Sequence, residues 1–390
     1  MHLAADHEPG LAHKNGLDLS IASRIILYCA RTTPGPELSA GITDLIKQVT
    51  DWDYVFSLAA KHGLLLFLVH NVNRAVPAFL PQTVVTDVRR RYSATNRSSS
   101  RELRELTSLF AAHRVRAISY KGPTLAGIAY NNQPLRGSAD LDFLVHPRDY
   151  RQVLSLLSSQ GYTPYMDCGY KYHLWHPQKQ IDLDLHRALA PRRYLFTIAF
   201  DYAWERSTRL AIPQGGDVLT FCLEDSVIVL CLDLVKDIAQ PGNFRLLKIT
   251  DIAELMKHSE RIDWTALARR ARAARLVRVT YFGLLLAERV CDATLPPDIG
   301  RNIEGQARRF DKIVNSAMRV ILDERWLAGS DFSKAFHELK MVAVLQDRRR
   351  HQILVVILYL ASLVKLRLKS WYARITATRG YRQSARSQTD

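Results

Sequence analysis

A chain of 390 residues, 47% hydrophobic and 24% charged, has the composition of an ordinary globular protein with room for two or three domains, which excludes a fibrous or wholly disordered one. Its net charge of +16 attracts anionic partners without naming one. Five scattered cysteines, none at metal-ligand spacing, argue against a zinc site or a disulfide framework and suit a reducing, cytoplasmic location.

Residues 1–17 are polar, lack the apolar stretch of a secretory signal and are expected to form a disordered leader. Residues 18–112 read as a helical N-terminal region. Ile42, Leu45, Ile46 and Val49 recur at helical spacing. Asp51 is placed to cap a helix that Gly63 ends, with His62 at its C-terminus. Residues 64–69 continue as another helix. Residues 84–112 read as one long, charge-rich helix with Leu103, Leu106, Leu109 and Phe110 on one face.

Residues 113–215 change period and read as the core. Residues 115–120 alternate as a strand, Gly122-Pro123 turns the chain, 124–130 is a short helix and 141–145 a second strand. A helix over 149–159 is closed by Gly161. Residues 170–176 and 180–186 then form an antiparallel pair. Residues 216–370 return to helix, with helical spacing over 226–235, 246–258, 264–274, 277–290 and 353–368. The fold class expected is therefore α+β, a small mixed α/β core flanked by N- and C-terminal helical regions, with a basic tail over 371–390.

From Leu345 onward ten Lys and Arg stand against Asp347 and Asp390, half of the net excess. The apolar run over 353–364 is shorter than the about 20 residues that span a bilayer, so no transmembrane segment is expected. A buried helix is the expectation there. The alternative is a helix on an anionic membrane surface, because Arg348, Arg349 and Arg350 precede the run and Lys365, Arg367 and Lys369 follow it.

The chemistry centres on Asp140-Leu-Asp142 at the start of an apolar strand. Residues two apart on a strand share a face, and two carboxylates there are costly to bury without a positive partner. Mg²⁺ is such a partner, taking a few carboxylates plus phosphate oxygens. On the later strand Asp182, Asp184 and His186 share a face, and one of those aspartates would supply the third carboxylate of a two-metal phosphoryl or nucleotidyl transfer site. Lys121-Gly122, between a strand and a helix N-terminus, and Gly137-Ser138 offer small turns where a phosphate can approach backbone N–H groups. Each feature alone is common punctuation; their order along the chain is what points to this chemistry. His186 reads as a partner of Asp184 behind the metal or as a satisfied strand-end histidine. Lys236 is a solvated lysine or a phosphate contact. Arg136 is exposed or paired with Asp140 or a phosphate. His173 and His176, three apart on a strand, face opposite ways and do not suit a metal.

This arrangement resembles the DNA polymerase β-type nucleotidyltransferase superfamily, and more closely the bacterial family labelled uncharacterised nucleotidyltransferase. The resemblance rests on Lys121-Gly122, Tyr130, Arg136, 140–145, Gly161-Tyr162 and Asp184-Leu-His186. It extends to Asp51-Trp52, Ala59 and His62-Gly63, and to Leu230-Cys-Leu with Lys236, 251–255 and 262–264. It covers about 38–364. The resemblance implies Mg²⁺ held by Asp140 and Asp142, with Asp184 as the third carboxylate, and Gly122 and Ser138 near the triphosphate of a nucleoside triphosphate substrate such as ATP. Lys121, Arg136 and Lys236 complete the expected nucleotide-binding set. Two departures stand out. Pro123 follows Gly122 where the superfamily has serine, removing an N–H and a hydroxyl. Asp233 and Asp237 stand where the family has histidines.

The function expected is Mg²⁺-dependent transfer of a nucleotidyl group from a nucleoside triphosphate to an acceptor, which is a small molecule, a peptide, a protein or an RNA end. The alternatives are phosphoryl transfer at the same metal site and a degenerate nucleotide- or partner-binding module. No zinc-finger, helix-turn-helix or RNA-recognition signature supports a nucleic-acid-binding protein.

Overall fold

The computed structural model describes residues 19–131, 134–138, 140–196, 198–212, 216–240, 244–296, 307–322, 331–359 and 361. The expected leader and basic tail lie outside these residues, as does most of the second half of the helix expected over 353–368.

Five helices open the chain: α1 (Ile21–Cys29), α2 (Pro36–Ile46), α3 (Trp52–Lys61), α4 (Leu65–Ala75) and α5 (Gln82–Ala112). Asp51 caps α3 as expected, its Oδ1 accepting from the Tyr54 N–H at 2.9 Å. The chain then reverses at Gly63, which takes the left-handed φ of +73°. Ile42, Leu45 and Ile46 are buried on α2, but that helix ends at Ile46, so Val49 lies beyond it.

The core follows as β1 (Ala117–Ser119), α6 (Gly122–Ala129), β2 (Asp140–Val145), α7 (Tyr150–Ser159), β3 (Thr163–Asp167), β4 (Lys171–His176) and β5 (Ile181–His186). The five strands form one mixed sheet in the order β1-β2-β5-β4-β3. β2 and β5 run parallel, and the other pairings are antiparallel. Strand β3 is absent from the sequence reading. It is exposed throughout, carries Pro164 and has an irregular register, as an edge strand tolerates. The hairpin of β6 (Thr208–Ala211) and β7 (Asp217–Thr220) is likewise unanticipated and straddles the boundary placed at 215.

Strand alternation gives the sheet two unlike faces. Leu141, Phe143 and Val145 of β2 and Ile181, Leu183 and Leu185 of β5 are buried against Leu103, Leu106 and Phe110 of α5 and Tyr150, Val153 and Leu157 of α7. Phe110 meets Phe143 edge to face at 5.1 Å. The intervening residues, Asp140 and Asp142 on β2 and Asp182, Asp184 and His186 on β5, therefore turn to the opposite face.

After the core come α8 (Phe200–Glu205), α9 (Leu223–Ala239), α10 (Leu247–Met256), α11 (Trp264–Ala274), α12 (Val277–Cys291), α13 (Ala307–Leu322) and α14 (Asp331–Val344). Helix α9 is buried on nearly every side, among α10, α11, α12 and α14. The N- and C-terminal helices share one apolar core, containing Ile25, Phe67, Val227 and Phe282. Polar contacts lock the same junction. The buried Arg31 pairs with Asp292 and donates to Val290 O at 2.9 Å. The Thr32 N–H donates to Glu254 Oε1 at 3.0 Å. Among the described residues no helix is long and apolar enough to cross a membrane.

Residues 349–359 are helical, but the expectation of burial is corrected. Val355 and Tyr359 are buried, whereas Ile353, Leu354 and Ile357 are exposed. A helix that meets protein along one side can hide only that side, however uniformly apolar its sequence. Tyr359 donates to Glu338 Oε2 at 2.9 Å, and Glu338 also accepts from Arg193 at 2.8 Å and from the Tyr194 hydroxyl. Burial alone would raise the Glu338 pKa, but the Tyr194 and Arg193 contacts outweigh it and hold the carboxyl below its usual value. A depressed carboxylate stabilises the fold above its unfolded pKa and loses that contribution as pH falls through the folded one. The wild type is thus expected to lose stability below about pH 4.5 relative to Glu338→Gln, in urea titrations across pH 7 to 3; parallel curves would show the cluster to be inert.

Candidate active site

The register of the two parallel strands builds the site. Asp140 lies beside Asp182, and Asp142 beside Asp184. One ligand atom each from Asp142, Asp184 and His186 lies within 4.8 Å of the others. Asp142 is fully buried. Its Oδ1 accepts from Lys121 Nζ at 3.0 Å and lies 3.2 Å from His186 Nε2. Its Oδ2 has no hydrogen-bond partner among the described residues.

Asp184 is engaged on both oxygens, with Lys171 Nζ at 2.6 Å from Oδ2 and His173 Nδ1 at 2.6 Å from Oδ1. His173 and Lys171 come from β4, where antiparallel register sets His173 opposite Asp184 and Lys171 opposite His186. Alternation turns His173 and His176 to opposite faces, but the neighbour that matters to His173 lies across the strand pair, in Asp184. His186 lies nearer Asp142 than the Asp184 expected for it, with 3.9 Å to Asp184 Oδ2.

The cations and the buried protein mass act on these groups in opposite directions. Burial would raise the Asp142 carboxyl, but Lys121 and the His186 hydrogen bond bring it below the ordinary range. Burial opposes ionisation of Asp184 too, and its His173, His186 and Lys171 contacts win. Asp140 reaches solvent at the start of the strand, yet the protein mass around it, and then Asp142, push its pKa up. Burial lowers the His186 pKa to about 4 against the pull of Asp142, so the ring is neutral at pH 7.

Helix α9 reaches the site through Lys121. That ammonium also lies 3.2 Å from Asp233, which further holds Lys236 at 2.9 Å and Lys248 at 2.6 Å. Lys248 contacts Asp237 as well. Asp233 and Asp237 are thus the anionic partners of a buried lysine group. Lys236, read as solvated by default, is buried, and its Nζ stands 5.3 Å from the Tyr170 ring. Burial, outweighing Asp233, lowers its pKa.

The turn residues converge as their order suggests. Gly122 opens α6 with φ +54°, and a Cβ there would lie 2.5 Å from Asp140 O and 3.0 Å from Ser138 Oγ. Only glycine lets the start of α6 approach the start of β2 so closely. Gly122→Ala is expected to cost about 2–5 kcal/mol, combining about 1–2 for the left-handed conformation with about 1–3 for overpacking; a urea midpoint equal to wild type would contradict this. Ser138 Oγ is buried without a partner among the described residues. Helix α5 fixes its loop: Asn96 Oδ1 accepts from the Ser138 N–H at 2.9 Å, and Ser99 Oγ donates to Ser138 O at 2.7 Å. Tyr92 lies so close that a Cβ on Gly137 would meet its ring at 2.5 Å.

Arg136 is neither exposed nor turned to a carboxylate of the sheet. It is buried and forks Asp251 of α10, with Nε to Oδ1 at 2.8 Å and NH2 to Oδ2 at 3.1 Å. Its NH1 donates to Gly122 O at 3.0 Å, and the Tyr130 hydroxyl donates to Asp251 at 2.7 Å. Sequence reasoning missed Asp251 as its partner because the two are 115 residues apart.

The donor set suits a hard divalent cation. Carboxylate oxygens of Asp142 and Asp184 converge, one of them buried and unpartnered, and a cation entering there would displace the ammonium groups that hold the others. A family model described as uncharacterised nucleotidyltransferase matches residues 48–292. No curated protein matches the chain. Among solved structures, that of antibiotic-resistance factor ANT(2'')-Ia aligns with 46% of this chain and 94% of its own, at 12% identity and a TM-score of 0.34. An antigenic nucleotidyltransferase-like protein from Paracoccidioides brasiliensis aligns with 50% of this chain and 93% of its own, at 15% identity and a TM-score of 0.29.

Proposed function

From the premise that this chain belongs to the uncharacterised nucleotidyltransferase family, we propose that it transfers a nucleotidyl group from a Mg²⁺-bound nucleoside triphosphate to an acceptor hydroxyl or phosphate. The observation that carries the reading is the in-register pair Asp142 and Asp184 with the unpartnered Asp142 Oδ2 between β2 and β5. Asp140, Asp142 and Asp184 would hold the magnesium, which neutralises phosphate charge and favours an ionised acceptor oxygen when bound.

The chain's own groups then divide the remaining work. Gly122 and Ser138 cradle phosphate oxygens, and Lys121 exchanges its carboxylate partners for the triphosphate. Lys236 stands one carboxylate further away as a second ammonium. Asp184 accepts the acceptor's proton. Neutral His186 orients Asp142. Arg136 positions Gly122 rather than meeting nucleotide. The kinship with the polymerase β-type superfamily and a cytoplasmic setting belong to the same reading.

A second reading, a nucleotide-binding module without turnover, draws on Lys121 and Lys171, whose ammonium groups neutralise the carboxylates of Asp142 and Asp184. The test supplies triphosphate labelled at either the α- or the γ-phosphate to protein with cell extract as acceptor source. Label transferred from the α position supports nucleotidyl transfer, and label transferred from γ alone would replace it with phosphoryl transfer. Mg²⁺-dependent binding with no transfer of either label selects the second reading.

A further inference from the structure

We propose that the helix over residues 349–359 docks on the surface of an anionic lipid bilayer. Ile353, Leu354 and Ile357 are 64%, 41% and 56% exposed, and the spacing i, i+1, i+4 sets them on one arc. The other arc anchors the helix, through buried Val355 and the Tyr359 hydroxyl on Glu338. Large aliphatic side chains clustered on one exposed arc mark a contact surface rather than scattered exposure.

The charge beside the arc selects the occupant. Arg348, Arg349 and Arg350 are all exposed at the N-terminal end of this helix, and none forms a salt bridge among the described residues. Cations at a helix N-terminus oppose its dipole, so they do not stabilise the helix they precede. Lipid phosphates and serine carboxylates would be attracted by both the arginines and the dipole. The sequence beyond adds Lys365, Arg367 and Lys369. An RNA backbone would answer the arginines, but it gives three aliphatic side chains nothing to enter, whereas the acyl boundary of a bilayer does. The apolar run over 353–364 is shorter than the about 20 residues that span a bilayer, so the helix lies in the plane of the interface.

The experiment is co-sedimentation of the full chain with phosphatidylcholine vesicles, with or without about one third phosphatidylserine. Variants are Ile353→Asp/Ile357→Asp, which charges the arc, and Ile357→Trp, which keeps it apolar. Both positions are exposed, so unchanged melting temperatures verify the fold. Binding is expected only to the serine-containing vesicles, to fall at least about tenfold in the double aspartate variant and to persist in the tryptophan variant. Equal sedimentation of wild type and the double variant would assign the effect to basic residues alone and overturn the proposal. So would equal binding to neutral vesicles, no binding, or wild-type self-association or single-stranded RNA binding through the same face in place of lipid.

Discussion

Asp142→Asn is expected to lower nucleotidyl transfer by at least about a thousandfold, about 4 kcal/mol at the transition state, while leaving the chain folded. The residue is enclosed on the polar face of the sheet, and the substitution keeps its volume while removing its charge. One oxygen becomes an NH2 group that can only donate, and that group presented to the Lys121 ammonium or to the magnesium is repelled where a carboxylate oxygen binds. Lys121 keeps Asp233 as a partner, which limits the structural damage. Asp184→Asn should behave alike, with Lys171 and His173 released from it. Calorimetry with Mg²⁺ and a nucleoside triphosphate checks the binding half of this expectation, with Asp140→Asn/Asp142→Asn beside wild type. Binding abolished by the double substitution supports the site. Equal binding by both proteins would show that these strands do not hold the metal.

Arg136→Ala should be the most damaging substitution for stability, at about 3–5 kcal/mol, because it leaves the Asp251 carboxylate buried without its fork. Three features are lost together: the bidentate pair, the NH1 bond to Gly122 O and the shared anchoring of Tyr130. Arg136→Lys should recover little, since a point charge cannot meet two carboxylate oxygens and a carbonyl in one plane. Denaturant titrations of Arg136→Ala, Asp251→Ala and the double variant would separate the terms. If the single losses simply add, the two residues do not act as a unit. If Arg136→Ala keeps wild-type stability but loses nucleotide binding, the guanidinium belongs to the phosphate site after all.

Much of this was legible because the aspartates obey strand alternation. Asp140 and Asp142, then Asp184, lie on β2 and β5, whose apolar residues mark the opposite face, so periodicity alone predicts which side the carboxylates take. What periodicity omits is which strand lies beside which. The parallel β2–β5 pairing joins residues about forty positions apart and brings Asp142 to Asp184; the β4–β5 register brings His173 and Lys171 to the same carboxylate. Lys236, Asp233 and Lys248 were hidden for another reason. Lys236 and Asp233 share helix α9, which is buried on nearly every side, so its charged residues cannot be sorted by an amphipathic pattern, and Lys248 joins them from α10. Strand β3 was missed because Thr163-Pro-Tyr-Met-Asp167 is exposed at both faces and shows no alternation.

The shared core of the first and last helices also constrains how the chain is made. The end of α1 is held by partners far downstream: Ala30 O accepts from Thr250 and Cys291, and Arg31 reaches Val290 and Asp292. At about 5–20 residues per second of synthesis, roughly 10–40 seconds separate the appearance of α5 from that of α12. Throughout that interval the apolar sides of α1 to α4 lack their native cover, and closing so long a loop is slow. Nascent chains stalled after residue 240 are therefore expected to be cleaved readily by added protease within 21–75, and chains stalled well beyond 292 to resist it. Protection of the shorter chains would mean that the first helices fold without the last. If the expectation holds, the interval on the ribosome is when this protein most needs a chaperone, and a stop codon in α12 would harm the first helices as much as the last.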